Sequence, residues 1–402
     1  MINNPQSKYR WYILTLATAT NLFVVTMSSI CMAVLFKEIS DELDLNLVQI
    51  GTIWGMTGLA GLFTTFIAGL AGDRFGAKRT LGVACILVGI TGAMRGFSGS
   101  FTDLATTMFL LGLFSPFVPL NTHKTAAEWF SGPHLGVANG ILAAGMGVGF
   151  TLGSMISATV LSPALGGWRN VVFVYGAVAI VIGFLWFLAR SEPGRAESNK
   201  SSGRVPFRQA LSRVIHIRNV WFLALTHMCF NGATLGLQGY LSLYLRGKDW
   251  AAAGADGALA AFSAAGTAGV VPLSLLSDRL GSRKVIALAA ILITTVGIGL
   301  LSVFGGAMVW PLVISVGLVS ELMRATLVTM IMETEGIGPA YAGTALGITL
   351  SCSRLGTFFS PPLGNSLANI NPSSPFIFWS ALAGAALLTF NFVKETGWRK
   401  RR

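Results

Sequence analysis

The chain has 402 residues, of which 53% are hydrophobic, 11% are charged and 48 are glycine. That is too little polar surface to cover a soluble globule of this length, so its solvent must be largely lipid. The formal charge of +12 gathers on no basic, aromatic-interleaved face, which excludes a nucleic-acid partner. It suits basic loops on the cytoplasmic side of a membrane.

Runs of mostly apolar residues long enough to cross a bilayer fall at residues 11–38, 46–71, 79–97, 103–130, 135–162, 169–190, 219–246, 254–277, 284–304, 309–335, 340–369 and 374–394. They are numbered here as spans 1 to 12. The first run is too long for the apolar core of a signal peptide and reads as an uncleaved helix. Cys31, Cys85, Cys229 and Cys352 lie singly in apolar segments, without a CxxC pair or a His or Asp at ligand spacing. They read as small core residues, so neither disulfides nor a metal is expected, and nothing in the sequence calls for a cofactor.

Lys and Arg crowd one set of connections: Lys8, Arg10, Arg74, Lys78, Arg79, the 190–218 segment and the tail from Lys394 to Arg402. The opposite set carries Lys37, Arg95, Arg169, Arg246 and Lys248. This asymmetry predicts that both termini are cytoplasmic. Residues 191–218 form the one substantial polar segment and divide the chain into a bundle over 1–190, a linker and a bundle over 219–402 with a basic tail. Within the linker, Phe207, Ala210, Leu211, Val214 and Ile215 recur at helical spacing, which predicts a short amphipathic helix on the membrane surface. A helix for a regulatory partner is the alternative.

Gly69 to Arg79 reads GLAGDRFGAKR, and SLLSDRLGSRK begins about 205 residues later at Ser274. Likewise GVANGI at 136–141 answers GTALGI at 343–348. The halves are therefore repeats, pairing span 4 with span 10 and span 5 with span 11. The repeat also aligns Glu128 with Glu335, candidate partners for the arginines of the two charged loops.

Gly69, Asp73, Arg74, Gly76, Lys78 and Arg79 resemble the loop motif between the second and third helices of the major facilitator superfamily, and Asp278, Arg279, Gly281, Arg283 and Lys284 resemble its second copy. The resemblance covers nearly the whole chain. It implies an all-α membrane protein of twelve transmembrane helices in two pseudo-symmetric six-helix bundles, working by alternating access. It also implies that the loop motif latches one conformation. The bland reading is that these charges only set topology; it covers Lys and Arg but not the repeated Asp. Glycines at 140, 145, 147, 149 and 153 in span 5 and at 51, 55, 58 and 61 in span 2 suit close helix packing. The resemblance would put span 5 beside span 8, with Gly266 and Gly269, and span 2 beside span 11, with Gly343 and Gly347.

Ionisable groups inside the hydrocarbon are costly and mark function. Glu321 and Arg324 stand three apart near the middle of span 10, on one helical face. Arg354 stands near the middle of span 11 with no acid within reach on its own helix. Span 4 adds Asn121, His123 and Lys124 after Pro116 and Pro119, which predict a kink. Span 1 adds Asn21, and span 7 adds His227, Asn231 and Gln238. The resemblance places spans 1, 4, 7 and 10 around the central cavity. A guanidinium forks onto an oxyanion, so Arg354, helped by Arg324 or Lys124, is the candidate anion ligand. Asn21, Asn121, His227 and Asn231 are supporting polar groups. The structural alternative has Arg324 neutralised by Glu321, and Arg354 satisfied by carbonyls of a helix broken near Pro361 and Pro362. Glu321 is the leading proton carrier, because its protonation would release Arg324. His123 and His227 are rivals.

No enzyme motif appears: there is no GxSxG elbow, no Walker loop and no ligand cluster. The stretch AAEWFSGPHLGVANGILAAGMGVG resembles the nitrate, cyanate and carboxylate porters of the superfamily. The arginines of the nitrate porters' second and eighth helices are absent here, as is the fourth-helix arginine of many drug antiporters. The expectation is a monomeric multi-pass carrier of the cytoplasmic membrane, taking up a small organic anion, a monocarboxylate or similar, with protons. An efflux carrier for an amphipathic compound is the first alternative and a non-transporting sensor the second.

Overall fold

The computed structural model describes residues 5–190 and 207–396. The linker residues 191–206 and the tail residues 397–402 lie outside it, as do the side chains of Phe207 and Arg208 within the predicted amphipathic helix and that of Asp278 in the second loop motif. Among the described residues eleven helical segments are long and apolar enough to cross a membrane. The segment counted as span 11, Pro339–Ser366, is a helix of 28 residues that is not among those eleven. Arg354, Pro361, Pro362 and several serines dilute its apolar character.

The chain divides into two compact units, Met1–Leu45 with Ala60–Ser202, and Asn46–Leu59 with Gly203–Arg402. The long helix Leu47–Phe75 is shared, its first part belonging to the second unit.

In the first unit, span 1 is interrupted. Helix Pro5–Ala19 passes into a π-helical stretch, Thr20–Met27, before Ser28–Leu43 resumes the α-helix. Hydroxyls hold the wider turn: Thr20 Oγ1 donates to the Leu16 carbonyl at 2.7 Å and Thr26 Oγ1 to the Leu22 carbonyl at 2.9 Å. The Trp186 indole N–H donates to Thr20 Oγ1 at 2.9 Å. Such bulges inside helices recur at functional sites. Span 5 carries a second, Ser157–Leu161. Span 4 breaks at Ser115–Pro116 into Phe101–Phe114 and Phe117–Trp129, where proline removes a backbone donor.

Arg95, counted above as an outer-loop charge, is fully buried. Its Nε donates to the Gly92 carbonyl, and its two terminal nitrogens to the carbonyl and hydroxyl of Ser28, all at 2.9 to 3.0 Å. It pins the end of span 3 to the residue at which span 1 returns to α-helix.

Within each unit the glycine faces make close contacts. In span 5, a Cβ at Gly145, Gly149 or Gly153 would strike Thr18, Thr26 or Ile30 of span 1. In span 8, Gly266 and Gly269 abut Gly317, Leu318 and Glu321 of span 10. In the second unit, span 2 does lie against span 11, but through Gly51, Gly55 and Gly58 on Pro361, Phe358 and Thr357. Gly343 and Gly347 have nothing within 4 Å of an added Cβ. Asn365 Nδ2 donates to the Leu47 carbonyl at 2.9 Å across the same seam, and the Trp54 indole donates to the Leu235 carbonyl of span 7 at 3.0 Å. Helix Pro339–Ser366 is not broken at Pro361 and Pro362; both prolines lie inside it.

The linker helix is present as Phe207–Val214. Its Ala210 and Val214 are buried, and the Arg213 guanidinium sits 5.0 Å from the ring centroid of Tyr341 at the start of span 11.

Candidate functional site

Span 10 is one unbroken helix, Val309–Glu333, so Glu321 and Arg324 stand one turn apart. Arg324 approaches Glu321 Oε1 at 2.7 Å, within ion-pair distance but without hydrogen-bond geometry. Arg324 Nε is buried with no partner. The two side chains are 30% and 41% exposed. Gly266 of span 8 closes the other side: a Cβ there would lie 3.0 Å from Glu321 Cγ.

Arg354 projects from the middle of span 11, half-buried, and makes no ion pair or side-chain hydrogen bond among the described residues. His227 of span 7 is buried and lies in the electrostatic field of both Arg324 and Arg354. Its Nδ1 has no hydrogen-bond partner. One turn further, Asn231 Nδ2 donates to Ser353 Oγ at 2.6 Å, next to Arg354 in sequence, and Asn231 Oδ1 has no partner. Spans 7, 10 and 11 thus gather two guanidiniums, an imidazole and an amide oxygen with unfilled hydrogen-bonding capacity in one unit. Ser353 was missed by the sequence reading because one serine in a membrane helix carries no signal of its own.

The first unit treats its polar residues differently. Lys124 Nζ lies 2.5 Å from the Gly69 carbonyl and 2.9 Å from Asp73 Oδ1, so this candidate substrate ligand is engaged by the loop motif. Asn121, fully buried, donates to the Phe117 carbonyl at 2.7 Å and the Ala68 carbonyl at 3.4 Å. Asn21 Oδ1 accepts from Thr122 Oγ1 at 3.1 Å, while its buried Nδ2 has no partner. His123 Nδ1 is 2.9 Å from Asn139 Oδ1, and Glu128 is half-buried.

In the first motif Gly76 has φ +85°, a value that favours glycine. Thr80 Oγ1 donates to the Gly76 carbonyl at 2.9 Å, and the Arg74 guanidinium lies 5.5 Å from the Phe75 ring. Arg79 is exposed and Lys78 half-buried. In the second motif Gly281 has φ +65°, and Arg279 is exposed. Arg283 forks onto Glu333, Nε to Oε2 at 2.7 Å and NH2 to Oε1 at 2.9 Å. Glu333 stands two residues before the exposed Glu335. Glu395 completes this corner, accepting from Ser282 Oγ and from the backbone N–H groups of Arg283 and Lys284 at 2.5 to 3.2 Å.

Two units of membrane-length helices holding ionisable side chains at mid-span define a multi-pass membrane transporter. Residues 18–361 match the family model of the Major Facilitator Superfamily, and the chain belongs to that superfamily of secondary transporters. A probable nitrate/nitrite antiporter of Thermus thermophilus is 28% identical over 369 residues, 82% of this chain and 79% of that protein. A probable sulfoacetate transporter of Cupriavidus necator is 24% identical, covering 92% of this chain and 91% of its own. Multidrug resistance protein 1 of Bacillus subtilis is 23% identical, covering 89% and 90%. Among solved structures, an inward-facing, occupied bacterial homologue of the human lysosomal transporter Spinster superposes with a TM-score of 0.74 at 16% identity, over 96% of this chain and 94% of that one.

Proposed function

We propose that this transporter carries a small organic anion into the cell by proton symport, with Arg354 as the principal ligand. The observation that carries this reading is the Arg354 guanidinium, mid-helix in a membrane protein, with no carboxylate or hydrogen-bond partner among the described residues. An unpaired cation at that depth is costly, and an anionic ligand offsets the cost while its two parallel N–H donors fix the oxyanion's orientation. Arg324 and His227 complete the ligand set, and Asn231, whose amide donates to Ser353, holds the helix beside Arg354 and offers its oxygen to a donor on the substrate. Glu321 carries the proton, since neutralising it frees Arg324; His123, bonded to Asn139, is the second candidate on the proton route. The anion porters among the relatives support the reading.

In this account residues 1–190 and 219–402 are the two bundles, 191–218 is the linker, and both termini are cytoplasmic, as the Lys and Arg asymmetry favours. The loop motifs hold one conformation through Asp73–Lys124 and Arg283–Glu333, with Gly69, Gly76 and Gly281 shaping the turns. Arg74, Lys78, Arg79 and Arg279 hold the loops at the membrane surface, and Asp278, Glu128 and Glu335 belong to the same latch.

The multidrug relative supports a second reading, efflux of an amphipathic compound against protons. One experiment separates them: labelled organic anions and cations are offered to proteoliposomes with and without an imposed pH gradient, comparing wild type with Arg354→Gln. Anion accumulation that follows the gradient and vanishes in Arg354→Gln is expected. Cation transport unaffected by Arg354→Gln would favour efflux.

A further inference from the structure

The sequence offers Glu321 as the neutraliser of Arg324, which would leave one usable cation and suit a monocarboxylate. The geometry is less complete than that. Arg324 meets Glu321 through one contact of 2.7 Å without hydrogen-bond alignment, and its Nε is buried and unpartnered. An aligned pair looks different in this protein: Arg283 meets Glu333 through two hydrogen bonds of 2.7 and 2.9 Å. Arg324 therefore retains donors for a second oxyanion.

The neighbours of Glu321 can be named element by element. Span 10 itself brings Arg324; His227 of span 7 lies in the field of both Arg324 and Arg354, and Asn231 ties its helix to Ser353, next to Arg354. Span 8 brings Gly266 against the Glu321 stem. Asp256 of that helix, held by Ser242 and Arg246, lies ten residues away, about 15 Å along the axis. Asp278 lies twelve residues the other way, about 18 Å. In span 9 the described ionisable groups are Arg283 and Lys284 at its start, bonded to Glu333 and to the Asn391 carbonyl. At this level, then, the described residues set two guanidiniums and an imidazole against one carboxylate. Once Glu321 takes up a proton, two positive charges remain unmatched.

We propose that the substrate is a dianion with two oxyanion groups on a short carbon chain, one held by Arg354 and the other by Arg324 when Glu321 is protonated. Arg324 is then the residue that determines specificity by valence: the second oxyanion takes the place of the Glu321 carboxylate as its counter-charge, and the proton neutralises that carboxylate. This rests on the anion reading above and sharpens it. An incoming dianion without a proton would set three negative charges against two guanidiniums, so transport of the dianion and of the proton are linked by charge balance.

The test uses butyrate and succinate, four-carbon probes differing by one carboxylate, labelled and supplied to proteoliposomes at about pH 7, where carboxylic acids are ionised. Wild type is expected to transport succinate at least about tenfold faster than butyrate, a difference of about 1.4 kcal/mol. Arg324→Gln should lower the succinate-to-butyrate uptake ratio about tenfold, succinate losing far more than butyrate, while Arg324→Lys, which keeps the charge, retains part of the preference. Glu321→Gln should exchange succinate across the membrane but lose accumulation driven by a pH gradient. A wild-type preference for butyrate, or equal losses of both probes in Arg324→Gln with Arg354→Gln inactive, overturns the dianion proposal while leaving the anion reading standing. Undiminished uptake of either probe in Arg354→Gln, or no uptake of either by wild type, overturns both.

Discussion

Lys124 Nζ bridges the Gly69 carbonyl at 2.5 Å and Asp73 Oδ1 at 2.9 Å, tying span 4 to the loop motif 51 residues earlier. A lysine with a fixed carboxylate and carbonyl is a poor anion ligand, because substrate would have to displace both. The pair is 31% and 51% exposed, so its strength lies in the range of surface pairs, below about 1 kcal/mol. That suits a latch that must open.

Lys124→Met and Asp73→Asn are each expected to change the maximal transport rate while leaving KM within about twofold. The double variant should lose little more than either single one, since both remove the same contact. Initial-rate uptake in proteoliposomes checks this; a KM raised tenfold in Lys124→Met alone would return Lys124 to the substrate site.

The seam between span 2 and span 11 makes a sharper steric prediction. A Cβ at Gly51 would lie 2.7 Å from the Pro361 carbonyl, and one at Gly55 2.5 Å from that of Phe358. These are backbone atoms, which cannot swing aside as a side chain can. Gly51→Ala and Gly55→Ala should each destabilise the detergent-solubilised protein by about 1 to 3 kcal/mol, read as a lowered Tm. Gly343→Ala and Gly347→Ala, with open space around the added carbon, should leave Tm unchanged or raise it.

Arg95 is buried with its donors spread over Gly92 and Ser28, so its removal takes three hydrogen bonds from the interior. Arg95→Ala should cost on the order of 3 kcal/mol, from charge-assisted hydrogen bonds lost in a dry interior. Arg95→Lys should recover only part, because an ammonium lacks the planar fork. Thermal unfolding of the purified variants measures both; a neutral Arg95→Ala would show that the clamp carries no load.

Glu395 supplies the acceptor for the first turn of helix Arg283–Leu300 from the far end of span 12. Glu395→Ala should cost about 1 kcal/mol, as loss of a helix cap does, and speed hydrogen exchange of the amides at 283–286. Exchange unchanged there would mean that water replaces the carboxylate without loss.

Much of the fold was legible in the sequence because lipid leaves few choices: each long apolar run had to become a helix, and the repeated loop charges marked equivalent points of two halves. Arg354, Arg324 and Glu321 stood out for the same reason. Three things were not legible. The π-helical turn at Thr20–Met27 depends on hydroxyls and on Trp186, more than 150 residues away, which leave no local pattern. Glycine stripes announce close packing without naming the partner, so the contacts of span 5 with span 1 and of span 8 with span 10 were not legible. The Asp73 partner of Lys124 lies on another helix, and a single sequence does not reveal which distant residues meet.

Counterflow in proteoliposomes needs no ion gradient, so it isolates binding and translocation from coupling. Wild type, Arg354→Lys and Arg354→Gln would be reconstituted in equal amounts and loaded with the unlabelled anion that wild type transports best. Transient accumulation of its labelled form is predicted in wild type, at a reduced level in Arg354→Lys and at background in Arg354→Gln. Counterflow in Arg354→Gln equal to wild type would contradict the assignment of Arg354 as the anion ligand.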